Sequence, residues 1–174
     1  MKRLLVFLLL ISLILAGCSA PTEENNQTPS ETTVQTPSGA KEQVFNDYGF
    51  AITVEGTAQI ASGSSSNQFT LYSSVGTLEF TYYKTPEVAV TEKNVVDFAN
   101  TLSENPVVEQ LKSNAFLITL PARSAGNNMN VIESYYLITD GTACWRVYAV
   151  TIEKTYNKDA LVSAMLSLRF AKRS

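Results

Sequence analysis

The sequence contains no histidine, and only two of its 174 residues are cysteines, Cys18 and Cys144. Without histidine, a Ser-His-Asp triad, a Cys-His nucleophile pair and any histidine-ligated zinc site are excluded. Two cysteines allow at most one disulfide, so the fold cannot rest on a disulfide framework. The acidic residues lack the Asp-x-Asp spacing of a calcium loop, and there is no glycine-rich phosphate loop. The sequence therefore predicts no metal site and no other cofactor.

Basic residues are also few. Lysine and arginine together number 13, against 16 aspartates and glutamates. Nucleic acids and anionic lipid surfaces are both bound through basic patches. The composition therefore argues against nucleic acid as a partner.

Long hydrophobic runs are absent except at the start of the chain, where Leu4 to Ala16 is apolar apart from one serine. This run has 13 residues, whereas a membrane-spanning helix needs about 20. Lys2 and Arg3 precede the run and small residues follow it, which is the arrangement of a secretory signal peptide. We therefore predict a signal peptide over residues 1–17 rather than a permanent transmembrane helix.

Leu15-Ala16-Gly17-Cys18 resembles the lipobox of prokaryotic lipoproteins. The resemblance implies that Cys18 receives a diacylglyceryl group and becomes the first mature residue. Two acyl chains hold a protein stably on a membrane. The protein is therefore expected to be lipid-anchored to the cell membrane and to face its extracytoplasmic side. The alternative is an ordinary signal peptide whose cleavage site happens to contain a cysteine.

Residues 18–41 are predicted to be the lipidated cysteine and a disordered tether. The segment is rich in Pro, Thr, Ser, Gln, Asn and Glu, and too little of it is apolar to form a core. Asn26-Gln27-Thr28 fits the acceptor pattern for N-glycosylation, so Asn26 is a candidate modification site. A chance match in a threonine-rich linker explains it equally well.

Residues 42–174 are predicted to form a single α+β domain. Alternating apolar and polar residues predict strands at Gly49 to Val54, Thr57 to Ala61, Gln68 to Ser73, Thr77 to Lys84 and Ala115 to Leu120. Two amphipathic helices are expected, each with a good N-cap, Thr91 and Asn157. The pattern is that of an antiparallel β-sheet with helices packed on it.

The clearest hairpin joins Val131 to Thr139 with Thr142 to Ile152 around Asp140-Gly141, a pair typical of a two-residue type I′ turn. That turn would place Tyr136 opposite Trp145, Tyr135 opposite Arg146 and Glu133 opposite Tyr148. One face of the hairpin is then mostly apolar. The other carries a candidate recognition surface: Glu133, Tyr135, Arg146 and Tyr148.

Exposed tyrosine and arginine are common in binding hot spots. The alternative for these four residues is a satisfied cross-strand cluster, with Arg146 stacked on Tyr135. Cys144 is predicted to be a half-buried strand thiol opposite Leu137, and the alternative is a reactive thiol.

Four segments resemble the PsbP-like family, whose founding member is an extrinsic subunit of photosystem II. They are Asp47-Tyr48-Gly49-Phe50-Ala51-Ile52, the mid-chain amphipathic helix, the aromatic hairpin Tyr135-Tyr136…Trp145-Arg146-Val147-Tyr148, and the closing helix into Ser167-Leu168-Arg169-Phe170. The resemblance implies an α/β/α sandwich around an antiparallel sheet and a non-catalytic role in assembly or docking. It transfers no catalytic, cofactor-binding or metal residue to this chain.

These observations favour a membrane-tethered binding or assembly module that uses its sheet surface or a strand edge on a protein partner. A surface receptor for a small ligand is the first alternative. A hydrolase or thiol enzyme that works without histidine is the second, and it would have to use Asp, Glu, Ser, Lys, Tyr or Cys144 alone.

Overall fold

The computed structural model describes residues 38–63, 65–84, 90–141 and 143–170. The predicted signal peptide, the lipidation site Cys18 and the candidate glycosylation site Asn26 lie outside these residues, so they stay predictions. Within the described residues, no helix combines the length and the apolar character needed to cross a membrane.

The described residues form mostly β-structure with two α-helices, which confirms the predicted α+β class. The strands are β1 Ala40–Phe45, β2 Phe50–Glu55, β3 Gln59–Ile60, β4 Gln68–Ser73, β5 Gly76–Tyr83, β6 Val107–Lys112, β7 Ala115–Thr119, β8 Arg123–Ser124, β9 Asn130–Thr139, β10 Cys144–Ile152 and β11 Arg169–Phe170. The helices are α1 Glu92–Leu102 and α2 Lys158–Ser167.

Two antiparallel sheets organise these strands. The large sheet has the order β3-β4-β5-β10-β9-β7-β6, and β8 also pairs with β9. The small sheet has the order β1-β2-β11. The long central strands β9 and β10 come from the predicted hairpin, so the strongest sequence signal forms the middle of the large sheet.

Both helices begin where their caps were predicted. The Thr91 side chain accepts a hydrogen bond from the Asn94 N–H, and the Asn157 side chain accepts one from the Ala160 N–H. Each bond satisfies one of the N–H groups that the first turn of a helix leaves without an intrahelical partner.

The helices and the small sheet cover the two faces of the large sheet. On the face that we call the inner face, α2 and the small sheet enclose one apolar core, whose fully buried members include Ile52, Leu71, Leu78, Phe80, Val147 and Leu161. On the opposite, outer face, α1 encloses a smaller cluster of Val95, Ala99, Phe116, Ile118 and Leu137. The domain is therefore a three-layer sandwich.

Strands β1, β6, β8 and β11 were not predicted. β1 begins at Ala40, so it includes the last two residues assigned to the tether. Lys41, Glu42 and Val44 are exposed on this strand, so it carries little of the apolar alternation that marks a strand. β6 follows Pro106 and has a bulge between Gln110 and Lys112, which interrupts its alternation.

Both hairpin strands are present, although β10 begins at Cys144 instead of the predicted Thr142, and the predicted register is wrong by two residues. Trp145 lies opposite Ile138, and Tyr148 lies opposite Tyr135. The connection is longer than the predicted two-residue turn, because the last strand pair is Thr139 with Cys144. The Asp140 carboxylate accepts a hydrogen bond from the Ala143 N–H at 2.9 Å. A shift of two residues keeps every side chain on its predicted face but gives it a different neighbour.

Candidate functional site

The outer face of the large sheet is only partly covered. α1 packs on β6 and β7 and reaches β9 through Phe98. None of the described elements packs over the part of this outer face that β4, β5 and β10 form. The outward side chains of these three strands are mostly half-buried or exposed. We call this part the open face; its outward side chains are Gln68, Thr70, Tyr72, Glu79, Thr81, Tyr83, Arg146 and Tyr148.

Glu133 is the centre of a polar cluster at the border between α1 and the open face. Arg123 donates two hydrogen bonds to its carboxylate, from Nε at 2.5 Å and from Nη2 at 2.8 Å. The Tyr148 hydroxyl donates a third. The Glu133 side chain is 12% exposed. The hydrogen bond from Arg123 lowers the pKa of Glu133 most strongly, and Tyr148 adds to this effect, while partial burial opposes it.

Two aromatic contacts hold this cluster against α1. The rings of Tyr135 and Tyr148 lie 4.9 Å apart, and the Tyr135 ring meets Phe98 of α1 edge-to-face at 6.0 Å. Burial and the hydrogen bond to Glu133 both raise the pKa of Tyr148. Its hydroxyl therefore stays protonated at neutral pH and serves as a donor to Glu133.

Arg146 does not join this cluster, and the alternative in which it stacks on Tyr135 is wrong. The true register places Arg146 opposite Leu137 on β9 and Thr81 on β5. Its guanidinium lies 5.2 Å from the centre of the Tyr83 ring, a cation–π contact on the open face.

The structure therefore brings three of the four predicted surface residues together and separates the fourth. Glu133, Tyr135 and Tyr148 form the polar cluster, and Arg146 pairs with Tyr83. Two partners were missed, Arg123 and Tyr83. No local spacing reveals them, because the Arg123–Glu133 pair depends on the short strand β8 folding back onto β9.

The Glu133 cluster gives a pH prediction. A carboxylate whose pKa is lowered by folding stabilises the native state above its unfolded pKa, and this stabilisation is lost as the pH falls through the folded pKa. We expect Glu133→Gln to lower the free energy of unfolding at pH 7. The difference in unfolding free energy between the variant and the parent chain should shrink as the pH falls below 4.5, the ordinary pKa of a glutamate carboxyl. Urea titrations from pH 7 to pH 3 measure it.

The matched control is Glu42→Gln, because Glu42 pairs with Arg169 where both side chains are largely exposed. Exposed ion pairs contribute about 0–1 kcal/mol, so this substitution should change stability little. Equal pH profiles for the two variants would contradict the role given to Glu133.

Cys144 is 5% exposed and lies opposite Thr139 and Tyr83, so the predicted pairing with Leu137 is wrong by the same register shift. Burial is the main cause that raises the pKa of its thiol to about 11. A thiolate is therefore scarce at neutral pH, and the thiolate is the reactive form.

We accordingly expect Cys144 to resist alkylation by iodoacetamide at pH 7.5 and to react at the rate of a free thiol once urea unfolds the chain. Mass spectrometry of the peptide that contains Cys144 measures both rates. Fast modification of the native chain would show that the thiol is accessible and activated.

A cleft among the described residues lies away from the open face. It has a volume of about 220 Å³ and is lined by Ala40, Thr53, Val54, Glu55, Ser74, Val75, Thr155, Asn157 and Ala160. Pockets for drug-sized ligands usually have about 300–1,000 Å³. Within the described residues, no three His, Cys, Asp or Glu side chains are grouped so that they could hold a metal ion.

No protein-family model and no curated protein matches the sequence. Solved structures do match the fold. A crystal structure from Bacteroides thetaiotaomicron VPI-5482 has 7% identity and a TM-score of 0.54, and the match covers 78% of this chain and 50% of that protein. The chain thus spans about half the length of that protein.

The solution structure of cyanobacterial PsbP (CyanoP) from Synechocystis sp. PCC 6803 has 9% identity and a TM-score of 0.45, and the match covers 77% of this chain and 94% of that one. At these identities the similarities concern the fold alone. Membership of the PsbP-like family stays a prediction.

Proposed function

We propose that the chain is a lipid-anchored extracytoplasmic lipoprotein with a PsbP-like domain, which acts as a non-catalytic binding or assembly module for a protein partner. Cys18 is the anchor in this proposal, and the segment between Cys18 and the start of β1 at Ala40 holds the domain away from the lipid headgroups. The open face is the surface that meets the partner.

The open face is the observation that carries the proposal. It presents tyrosine and arginine, two residue types enriched in binding hot spots, on a hydrogen-bonded sheet. Tyr72 is 54% exposed, and Arg146 and Tyr83 already hold each other in place. Side chains that are ordered before binding lose less entropy in a complex, which favours recognition.

The two alternatives have less support. The cleft beside Glu55 and Asn157 favours a small-ligand receptor, but its volume suits only a very small ligand. A thiol enzyme would need Cys144 as its nucleophile, and this thiol is buried and its pKa is raised. The open face has no such difficulty, because binding a protein needs no cavity and no activated group.

The test is site-specific photocross-linking of the full chain in its native cells. A photoreactive residue replaces Gln68 on the open face, and the control position is Asn100, exposed on the solvent side of α1. We expect one reproducible protein adduct from position 68 that is absent from position 100. The adduct should be lost in Arg146→Ala and kept in Arg169→Ala, a matched arginine on the small sheet.

Adducts from both positions alike, or from neither, would contradict the proposal that the open face binds a partner. The anchor is tested separately with Cys18→Ala. This variant should leave the membrane fraction and incorporate no lipid label, and continued labelling would show that Cys18 is not the anchor.

A further inference from the structure

Strand β6 forms one edge of the large sheet. Among the described residues its only strand partner is β7, so within this part of the chain its second edge has backbone N–H and C=O groups with no strand partner. Such an edge is a template for pairing with another strand, and proteins commonly guard it with charged side chains. The bulge between Gln110 and Lys112 leaves the regular stretch Val107 to Gln110.

The charged side chains of β6 are engaged with α2 rather than placed along the open edge. Glu109 forms an ion pair with Lys158, the first residue of α2. Lys112 Nζ donates a hydrogen bond to the Leu166 carbonyl near the end of the same helix, at 3.0 Å. α2 therefore lies beside β6 on the inner face, while α1 contacts β6 on the outer face. The edge runs between two helices.

One exposed valine lies near this edge on each face of the sheet: Val107 on the inner face, the side that it shares with Glu109, and Val96 on α1 over the outer face. Val107 of β6 is 54% exposed, and Val96 of α1 is 37% exposed. The Phe98 flank of α1 faces the middle of the sheet, because Phe98 contacts Tyr135 of β9. At about 100° per residue, Val96 lies on the opposite flank of the helix, which overhangs β6.

We propose that β6 pairs antiparallel with β6 of a second copy of the chain, about a two-fold axis perpendicular to the sheet. The pairing joins the two large sheets into one continuous sheet. Contacts of this kind are self-complementary, because the same patch serves both copies. The axis brings α1 beside the second copy's α1, so that Val96 meets its own counterpart.

Charge also favours a second copy as the occupant of this edge. In this antiparallel pairing Glu109 lies opposite or diagonal to Glu109 of the second copy. Two carboxylates at that separation would repel each other if neither had a basic partner. Each Glu109 brings Lys158 with it, and both side chains of the pair stay partly exposed, 32% and 48%. The dimer therefore places two lysines around two glutamates. This inference does not depend on Cys18 or on the open face.

The test is cysteine cross-linking of the full chain in intact cells. Val96→Cys should give a covalent homodimer with a short bis-maleimide, because the two-fold axis places residue 96 beside its counterpart. Tyr72→Cys, at an exposed position on strand β4, should give only the background of the parent chain. Adding Val107→Lys to Val96→Cys places a charge on the paired edge and should reduce the dimer at least tenfold.

Because Val107 is exposed, its change to lysine should leave the melting temperature unchanged, and thermal unfolding of that variant checks this. A dimer yield from Val96→Cys no higher than that from Tyr72→Cys would overturn the proposal. So would a dimer that persists with Val107→Lys, or an adduct between Val96→Cys and a different protein.

Discussion

Gly76→Ala is expected to destabilise the domain by roughly 3 to 4 kcal/mol, from left-handed backbone strain plus overpacking. Gly76 has a φ of +122° at the start of β5. A Cβ there would lie 2.5 Å from Thr151 Oγ1 and 2.6 Å from the Val150 carbonyl oxygen. Since whole domains are stable by only about 5–15 kcal/mol, a substantial part of the total would be lost.

The surroundings of Gly76 cannot move aside at low cost. The Thr151 hydroxyl is buried and donates a hydrogen bond to the Val75 carbonyl at 2.8 Å. The Val150 backbone belongs to β10, which is paired on both sides, with β5 and with β9. A methyl group at position 76 must therefore break the buried hydrogen bond or displace the central strand.

Urea unfolding of the full chain measures the loss, and Gly126→Ala is the matched control. Gly126 also has a positive φ, +86°, but a Cβ there would meet no atom within 4 Å. This control should cost only the backbone strain, about 1–2 kcal/mol. Equal losses in the two variants would show that the contact with β10 is unimportant.

Phe80→Ala is the second substitution with a large expected effect, a loss of about 3–5 kcal/mol. Phe80 is completely buried on β5. Its ring stacks on Phe69 at 4.6 Å and meets Phe50 at 5.0 Å. Phe50 belongs to the small sheet, so Phe80 joins the two sheets across the core.

The aromatic contacts continue from Phe69 to Trp145, and from Trp145 to Phe170 of the small sheet at 4.6 Å. Trp145 is the one tryptophan of the chain. Its fluorescence therefore reports directly on the contact between the sheets during urea unfolding. We expect a single transition in the parent chain and a lower midpoint in Phe80→Ala.

Tyr72→Ala is the control, because it removes an aromatic side chain of similar size from β4, the strand next to β5. Because Tyr72 is 54% exposed, its removal leaves no cavity in the core. Its cost should stay below about 1 kcal/mol, as for most surface substitutions. A comparable loss in both variants would mean that the aromatic core is not what joins the sheets.

The elements that the sequence predicted well are those whose signal is local. Thr91 and Asn157 cap helices whose apolar residues recur at helical spacing, and β4 begins and ends as predicted. The alternation in β9 and β10 also assigned each residue to the correct face. These features depend on neighbours a few residues apart in the chain.

One missed feature is local, the length of the hairpin connection, and the others depend on distant partners. The register of the hairpin changed because the Asp140 side chain bonds to the Ala143 N–H, which makes the turn longer by two residues. As a result, Tyr135 packs on Tyr148, and Arg146 packs on Tyr83, a residue 63 positions earlier. Pairings of this kind follow from the strand order, which local periodicity does not contain.

The amino-acid sequence by itself determined the α+β class, the helix caps, the two faces of the central hairpin and the exclusion of histidine chemistry. The tertiary structure alone decided which side chains meet, as in the Arg123–Glu133–Tyr148 cluster. It also decided which part of the sheet α1 leaves uncovered, and that β6 has one strand partner among the described residues. The physical reason is range. Capping and alternation act within one turn or one strand, whereas coverage of a sheet face and pairing of its edge depend on how the whole chain folds back on itself.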